Sequence, residues 1–321
     1  MNRSTHITLL GIFLLTAHSA DAESFMMEEC SQCDLSGLEI AGGIYESHSY
    51  TYSDLSSTTI VDAIFDGSKF NNSDLSEVSI SDSVFKRCKF DVANFSEAVI
   101  SSSSFERSSF SYADMTNVSI SDTTMSNMKM NNIEASEAKI VRSVFTNSKM
   151  SVAVLDQAFI QDSNFEDTEM SYGDLSDSII ENTTFRGCEC NNAVFKSAKL
   201  TDIDLSESNL AVGDFSRAQL DNLDFSDSNL AYADFSRADI AGGSFQGTLA
   251  NNSNFSRSFV SDVEFVDADL RVADFSNAVL VNVDFNGADL TYADFDGAKL
   301  INVSFEGAII LNTNFEGVSR K

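Results

Sequence analysis

The stretch GDFSRAQLDNLDFSDSNLAYADF, residues 213–235, sets Phe215, Leu220, Phe225, Leu230 and Phe235 five residues apart. Outward from it, every fifth residue between Leu35 and Phe315 is large and apolar. Of 57 such positions only Ala135, Cys190 and Ala250 fall outside Leu, Ile, Val, Met, Phe and Tyr. A period of five suits neither regular element. On a helix, five steps of about 100° each smear the apolar residues around the axis. On a straight strand, residues five apart face opposite sides. The chain must therefore turn a corner once in each pentad. Two places before each large residue the side chain is small, as in Ser73, Val78, Ser83, Cys88, Ala93 and Ala98. In a short extended segment i and i−2 share a side, so both point inward, and the Asp, Asn, Ser, Lys and Glu between them face water.

Four pentads complete one coil. Every twentieth residue from Ile40 to Leu300 is Ile, Leu or Val, with no aromatic among them. The neighbouring column runs Phe65, Phe85, Phe105, Met125, Phe145, Phe165, Phe185, Leu205, Phe225 and on to Phe305. Such segregation requires distinct walls of a tube, each stacking like on like. The other two walls trade volume. One has Phe early (Phe70, Phe90, Phe110) and Leu late (Leu210, Leu230), and the other has Leu early (Leu55, Leu75) and Phe late (Phe215, Phe235). A roughly constant core volume is what close packing demands.

The 213–235 stretch and ADLTYADFDGAKL (288–300) resemble the pentapeptide-repeat family, whose motif is A(D/N)Lxx. CSQCDLSG (30–37) is similar to the opening of exported members. The resemblance implies an all-β fold, a right-handed quadrilateral β-helix of about 14 coils, on the order of 67 Å long at ~4.8 Å per coil. It further implies a solenoid whose ends are its weak points. The expected organisation is a secretory signal over 1–22, an N-terminal cap over 23–34 holding Cys30 and Cys33, the β-helix over 35–315, and a short tail over 316–321.

The signal reading rests on Arg3, the apolar run ITLLGIFLLTA (7–17) and the small-x-small ADA (20–22), which together are too short to stay in a bilayer. It predicts an exported protein, periplasmic or secreted, with no membrane span after cleavage. In an oxidising compartment Cys30 and Cys33 are close enough to pair. A redox role for that Cys-x-x-Cys would need a helix N-terminus, and no helical pattern follows. Cys88, Cys188 and Cys190 fall at inward places and are expected as buried fillers.

Little points to catalysis. His48 is the only histidine after the apolar leader, and it is expected at a surface corner. No dinucleotide, phosphate-loop or calcium-repeat motif occurs. The unbroken register leaves no loop to build a cleft, and binding and catalytic residues usually sit on loops. The chain is accordingly read as no enzyme, with no catalytic, cofactor-binding or metal residues and no cofactor.

With 49 acidic and 20 basic residues the net charge is −29, which opposes direct nucleic-acid binding and anionic membranes. A cationic ligand or an unknown protein is the partner it fits. Asp54, Asp74, Asp114, Asp174, Asp214, Asp234, Asp274 and Asp294 form one acidic column, with Glu134 among them. Local hydrogen bonds to corner backbone explain such a column. A polyanion mimic is the alternative, and the family resemblance implies cytosolic members that imitate DNA and act on gyrase. Export would remove that target.

One outward column is stricter than any other. From Tyr52 in steps of 20 it repeats Tyr-Asn-Val without an error, placing Tyr52, Tyr112, Tyr172, Tyr232 and Tyr292 three coils apart. Packing over small neighbours or contact with a periodic partner each explain it. The final coil, lacking an apolar cover after Phe315, is expected to pair end to end with a second copy.

Overall fold

The computed structural model describes residues 29–320, so the leader expected over 1–22 lies outside them. Among the described residues there are strands and turns and no helix. Fifteen strands, from Glu39–Ala41 to Ser319–Arg320, form one parallel sheet along the rod. Its register advances by 20 residues per step: Ile40 lies against Ile60, Ile60 against Ile80, and Leu280 against Leu300. A second wall carries five strands between Ile44–Glu46 and Thr124–Ser126. The remaining two walls are held by single bridges at the same 20-residue offset, such as Ser49 to Lys69 and Asp54 to Asp74. Together the four walls make a quadrilateral β-solenoid of about 14 coils.

Each corner follows from one backbone feature that the pentad pattern does not announce. All residues two places past a large one, from Gln32 to Gly317, have positive φ. At many corners the N–H of the following small residue donates to the large residue's carbonyl, as Ala93 does to Phe90 at 3.0 Å. That is the type II arrangement, which requires a left-handed residue at its third place. Asn, Asp and Gly tolerate that conformation best, and they dominate two of the four corners.

Inside, both inward places are filled. Phe rings stack one per coil, with centroids 4.7 Å apart and planes within 1° for Phe145–Phe165 and Phe235–Phe255. Adjacent walls meet edge to face, as Phe215 does with Phe225 at 5.7 Å and 89°, a favoured aromatic geometry. Most small inward hydroxyls find a backbone carbonyl, Ser228 Oγ being an exception. Thr58 Oγ1 donates to the Leu35 carbonyl of the previous coil at 3.0 Å, and Ser208 Oγ donates to Phe185 at 3.0 Å. Serine can therefore substitute for alanine in the core at these places without leaving a dry polar atom.

One wall departs from the rule. At Ile179–Thr184, Lys199–Asp204, Gln219–Asp224 and Asp239–Ser244 the strands run six residues across the corner. Ile203 and Leu223 occupy the small inward place there and are buried. Gly243 (φ 102°) answers Leu223, since a Cβ on Gly243 would lie 2.2 Å from the Leu223 carbonyl oxygen.

The solenoid also extends past the span expected for it. Glu29 and Asp34 already bridge to Ser49 and Asp54, inside the segment read as a cap. At the other end Ser319–Arg320 pairs with Lys299–Leu300, so residues 316–320 continue the coil rather than hang as a tail. Phe305, Ala308, Phe315 and Val318 are only partly buried, and Ile309, Ile310 and Leu311 are exposed. The last described coil is therefore open.

One cysteine expectation is met and another changes. Cys30 and Cys33 are joined. Cys188 and Cys190, expected as separate fillers, are joined as well, with Cα atoms 5.5 Å apart. The two inward places of a single pentad face the same side, which brings the sulfurs within reach. Cys88 alone is free and buried, and burial pushes its thiol up to about 12, so it is inert.

Candidate functional site

The solenoid sorts outward side chains into four corners, and each corner is a straight row along the rod. The eight candidate aspartates occupy one row, each just before a large residue. Every one of them accepts the backbone N–H two places on through Oδ1. Asp54 takes it from Ser56 at 2.9 Å, Asp114 from Thr116 at 3.0 Å, Asp214 from Ser216 at 2.8 Å and Asp274 from Ser276 at 2.7 Å. Asp74, Asp174, Asp234 and Asp294 repeat the bond. Asn94, Asn254 and Asn314 repeat it without a charge. A neutral amide serving equally shows that the row's first task is holding the turn, as Asx residues do. Among the described residues no cluster of three or more His, Cys, Asp or Glu is arranged to hold a metal ion.

A second acidic group, Asp202, Asp204, Asp224, Asp262 and Glu264, surrounds a shallow groove of about 520 Å³ on the wall where Gly243 sits. The groove lies along the six-residue strands Lys199–Asp204, Gln219–Asp224 and Asp239–Ser244. His48 occupies an inward small place rather than an exposed corner. It is half-buried, its Nδ1 lies 3.0 Å from the Glu46 carbonyl, and its ring stacks on Tyr50 at 6.0 Å.

The Tyr-Asn-Val row lies on the left-handed corner residue itself. Tyr52, Tyr112, Tyr172, Tyr232 and Tyr292 have φ between 59° and 63° and are 60–64% exposed. No hydrogen bond or ring contact engages their side chains among the described residues. Val92, Val152, Val212 and Val272 share the conformation and are about half exposed. β-Branched residues are outliers there, and among the described residues valine stands at no other left-handed corner. This corner is therefore chosen against local backbone preference.

A third row was missed in the sequence. Arg217, Arg237 and Arg257 follow one another at 20-residue spacing, so they stack on successive coils, again at left-handed corner residues. With Ser236, Ser256 and Asn254 they line a polar groove of about 400 Å³. Reading that column in steps of 20, as was done for tyrosine, would have found it.

Two family models match the chain. Pentapeptide repeats matches eight copies within 188–227, 218–257, 233–271 and 268–307, and Pentapeptide repeat region matches 58–135. Together they span more than half of the sequence. The chain belongs to the pentapeptide-repeat family. Among solved structures, it is similar to HetL, a pentapeptide repeat protein involved in heterocyst differentiation regulation from the cyanobacterium Nostoc sp.. The identity is 23%, covering 58% of this chain and 89% of HetL, with a TM-score of 0.22. Full-length QnrB1, a plasmid-mediated fluoroquinolone resistance protein, is 17% identical over 57% of this chain and 92% of its own, with a TM-score of 0.29. A pentapeptide repeat protein from the Arabidopsis thaliana thylakoid lumen is 30% identical over 34% of this chain and 65% of its own, with a TM-score of 0.19. At these scores the overlays carry no functional argument. No curated protein matches the sequence.

Proposed function

We propose that this pentapeptide-repeat protein is an exported, non-catalytic rod that binds a partner along its corners. The exposed tyrosine corner carries the reading. Five tyrosines, held in step at 60-residue spacing, project from backbone that disfavours them, and large half-wet aromatic rings are typical binding anchors. The pentad register runs unbroken through the described residues, so the scaffold offers walls and corners rather than loops, and the two grooves are shallow and polar. Residues 1–22 carry the export half of the proposal, and the acidic surface suits a cationic or protein partner. Among the described residues no helix is long and apolar enough to cross a membrane.

Cell fractionation of the full chain, with and without residues 1–22, tests export: retention of both forms in the cytosol would overturn it. Tyr112→Ser/Tyr172→Ser/Tyr232→Ser tests the corner. The expected result is loss of partner capture from the matching compartment with an unchanged melting temperature. A fall in melting temperature would instead assign the row to packing. The DNA-mimic alternative predicts inhibition or protection in a gyrase supercoiling assay, and no effect there is expected. The open last coil, with Ile309, Ile310 and Leu311 exposed, supports end-to-end pairing with a second copy. Only monomer in sedimentation at tens of micromolar would refute that pairing.

A further inference from the structure

The arginine row conflicts with its surroundings. The protein carries −29, yet Arg217, Arg237 and Arg257 place three like charges on adjacent coils. Stacked Phe rings measure the coil spacing locally at 4.7–4.8 Å. Unlike Arg87, Arg142, Arg186 and Arg271, none of the three makes an ion pair or side-chain hydrogen bond among the described residues. The nearest acidic row is otherwise engaged, because Asp214, Asp234 and Asp274 hold the Ser216, Ser236 and Ser276 N–H groups. Earlier on this same corner the column reads Glu77, Glu97, Asn117, Glu137, Gln157 and Asp177. The sign of the corner thus reverses at the coil of Ser197. The three like charges on adjacent coils repel one another and meet no protein acceptor, so an anion that enters the groove relieves the repulsion and finds free donors.

We propose that this ladder binds a linear acidic polysaccharide, its uronate carboxylates pairing with the guanidiniums along the row. The spacing favours that class. An extended pyranose chain advances by roughly one coil spacing per sugar, close to the strand separation of about 4.8 Å, and a planar guanidinium pairs a carboxylate bidentately. The flanking groups favour it too. Asp234 and Asp274 each commit one oxygen to the backbone and keep the other for a sugar hydroxyl, while Ser236, Ser256 and Asn254 add neutral donors and acceptors. Interleaved carboxylates would repel the denser charge of a polyphosphate or a nucleic acid. A second copy of this chain fits the ladder poorly along the matching corner, which nowhere offers three carboxylates on successive coils. The inference rests on the binding-rod reading for its setting outside the cell, and on the groove alone for its chemistry.

The test is titration of the full chain with a fluorescent hexagalacturonate at low salt. Binding is expected to weaken with added salt, to rise steeply from disaccharide to tetrasaccharide, and to be absent for an uncharged hexasaccharide. R217Q/R237Q/R257Q should bind at least tenfold more weakly with its melting curve intact. E77Q/E97Q/E137Q should bind as well as the wild type. Absence of wild-type binding, or affinity unaffected by the triple arginine change, would overturn the proposal. So would tighter binding of polyphosphate or single-stranded DNA, or a salt-sensitive dimer in sedimentation that the arginine changes dissolve. If uronates fail while the tyrosine corner still captures its partner, only the ladder assignment falls; the converse result leaves the ladder standing without the tyrosine reading.

Discussion

Replacing valine by asparagine on the tyrosine corner should make the rod more stable. Val92, Val152, Val212 and Val272 all sit at φ between 59° and 62°, where a residue bearing Cβ loses about 1–2 kcal/mol and Asn loses least. Each valine is about half exposed, so its burial returns only about half of the roughly 1.5 kcal/mol that full burial supplies, and less against a compact unfolded chain. The balance is about 0.5 kcal/mol in favour of asparagine at each site. The four sites lie three coils apart, roughly 14 Å by strand spacing, so their effects should add. The quadruple variant therefore gains about 2 kcal/mol, and for a chain of this size its melting temperature rises by about 4 °C. Thermal unfolding followed by circular dichroism is the assay, with Asn132→Val as the reverse test, expected to lower the melting temperature by about 1 °C. A quadruple variant equal to or less stable than the wild type would refute the reasoning. The valines and their tyrosine neighbours would then be packed well enough to stabilise the corner, and no external partner would be needed to explain them.

Three further outcomes follow from the core and the charges. Tyr50 is fully buried, its hydroxyl has no hydrogen-bond partner, and desolvation raises its pKa; its column continues as Phe70 and Phe90. Tyr50→Phe should therefore stabilise the first coils by about 1 kcal/mol, read from denaturant unfolding. Phe235→Ala breaks a stack of rings at mid-rod and should cost about 3–5 kcal/mol, with the melt splitting in two as coils on either side uncouple. Asp269 is held below the usual carboxylate range by its hydrogen bonds to Arg271, at 2.7 and 2.6 Å. A lowered folded pKa stabilises above the unfolded value of about 3.9 and is lost as pH falls through the folded one. Asp269→Ala should thus be slightly less stable than wild type at pH 7, by under about 1 kcal/mol, with the gap closing below about pH 4.

Much of the protein was legible in one dimension because a solenoid writes its geometry as a period. Large residues five apart required corners, and columns of twenty separated the walls, so Phe145 meeting Phe165 or Ile40 meeting Ile60 could be read before any coordinates. The acidic row was equally legible, since Asp or Asn two places before a corner N–H is a local motif. What the sequence left out depended on backbone handedness and on what lies one coil away. Nothing in the letters of Tyr112 or Val152 states that their φ is positive, yet that fact turns a regular decoration into an unfavourable choice. Cys188 and Cys190 read as two fillers until the shared inward face joined them. Nothing local at Gly243 shows that the Leu223 backbone one coil away leaves no room for a Cβ there. The arginines at 217, 237 and 257 are dispersed along the chain and become a ladder only when the coil brings them together. Period therefore sufficed for the fold and the core, whereas strain, bridging and the meeting of like charges arise between coils, and only the tertiary structure decided them.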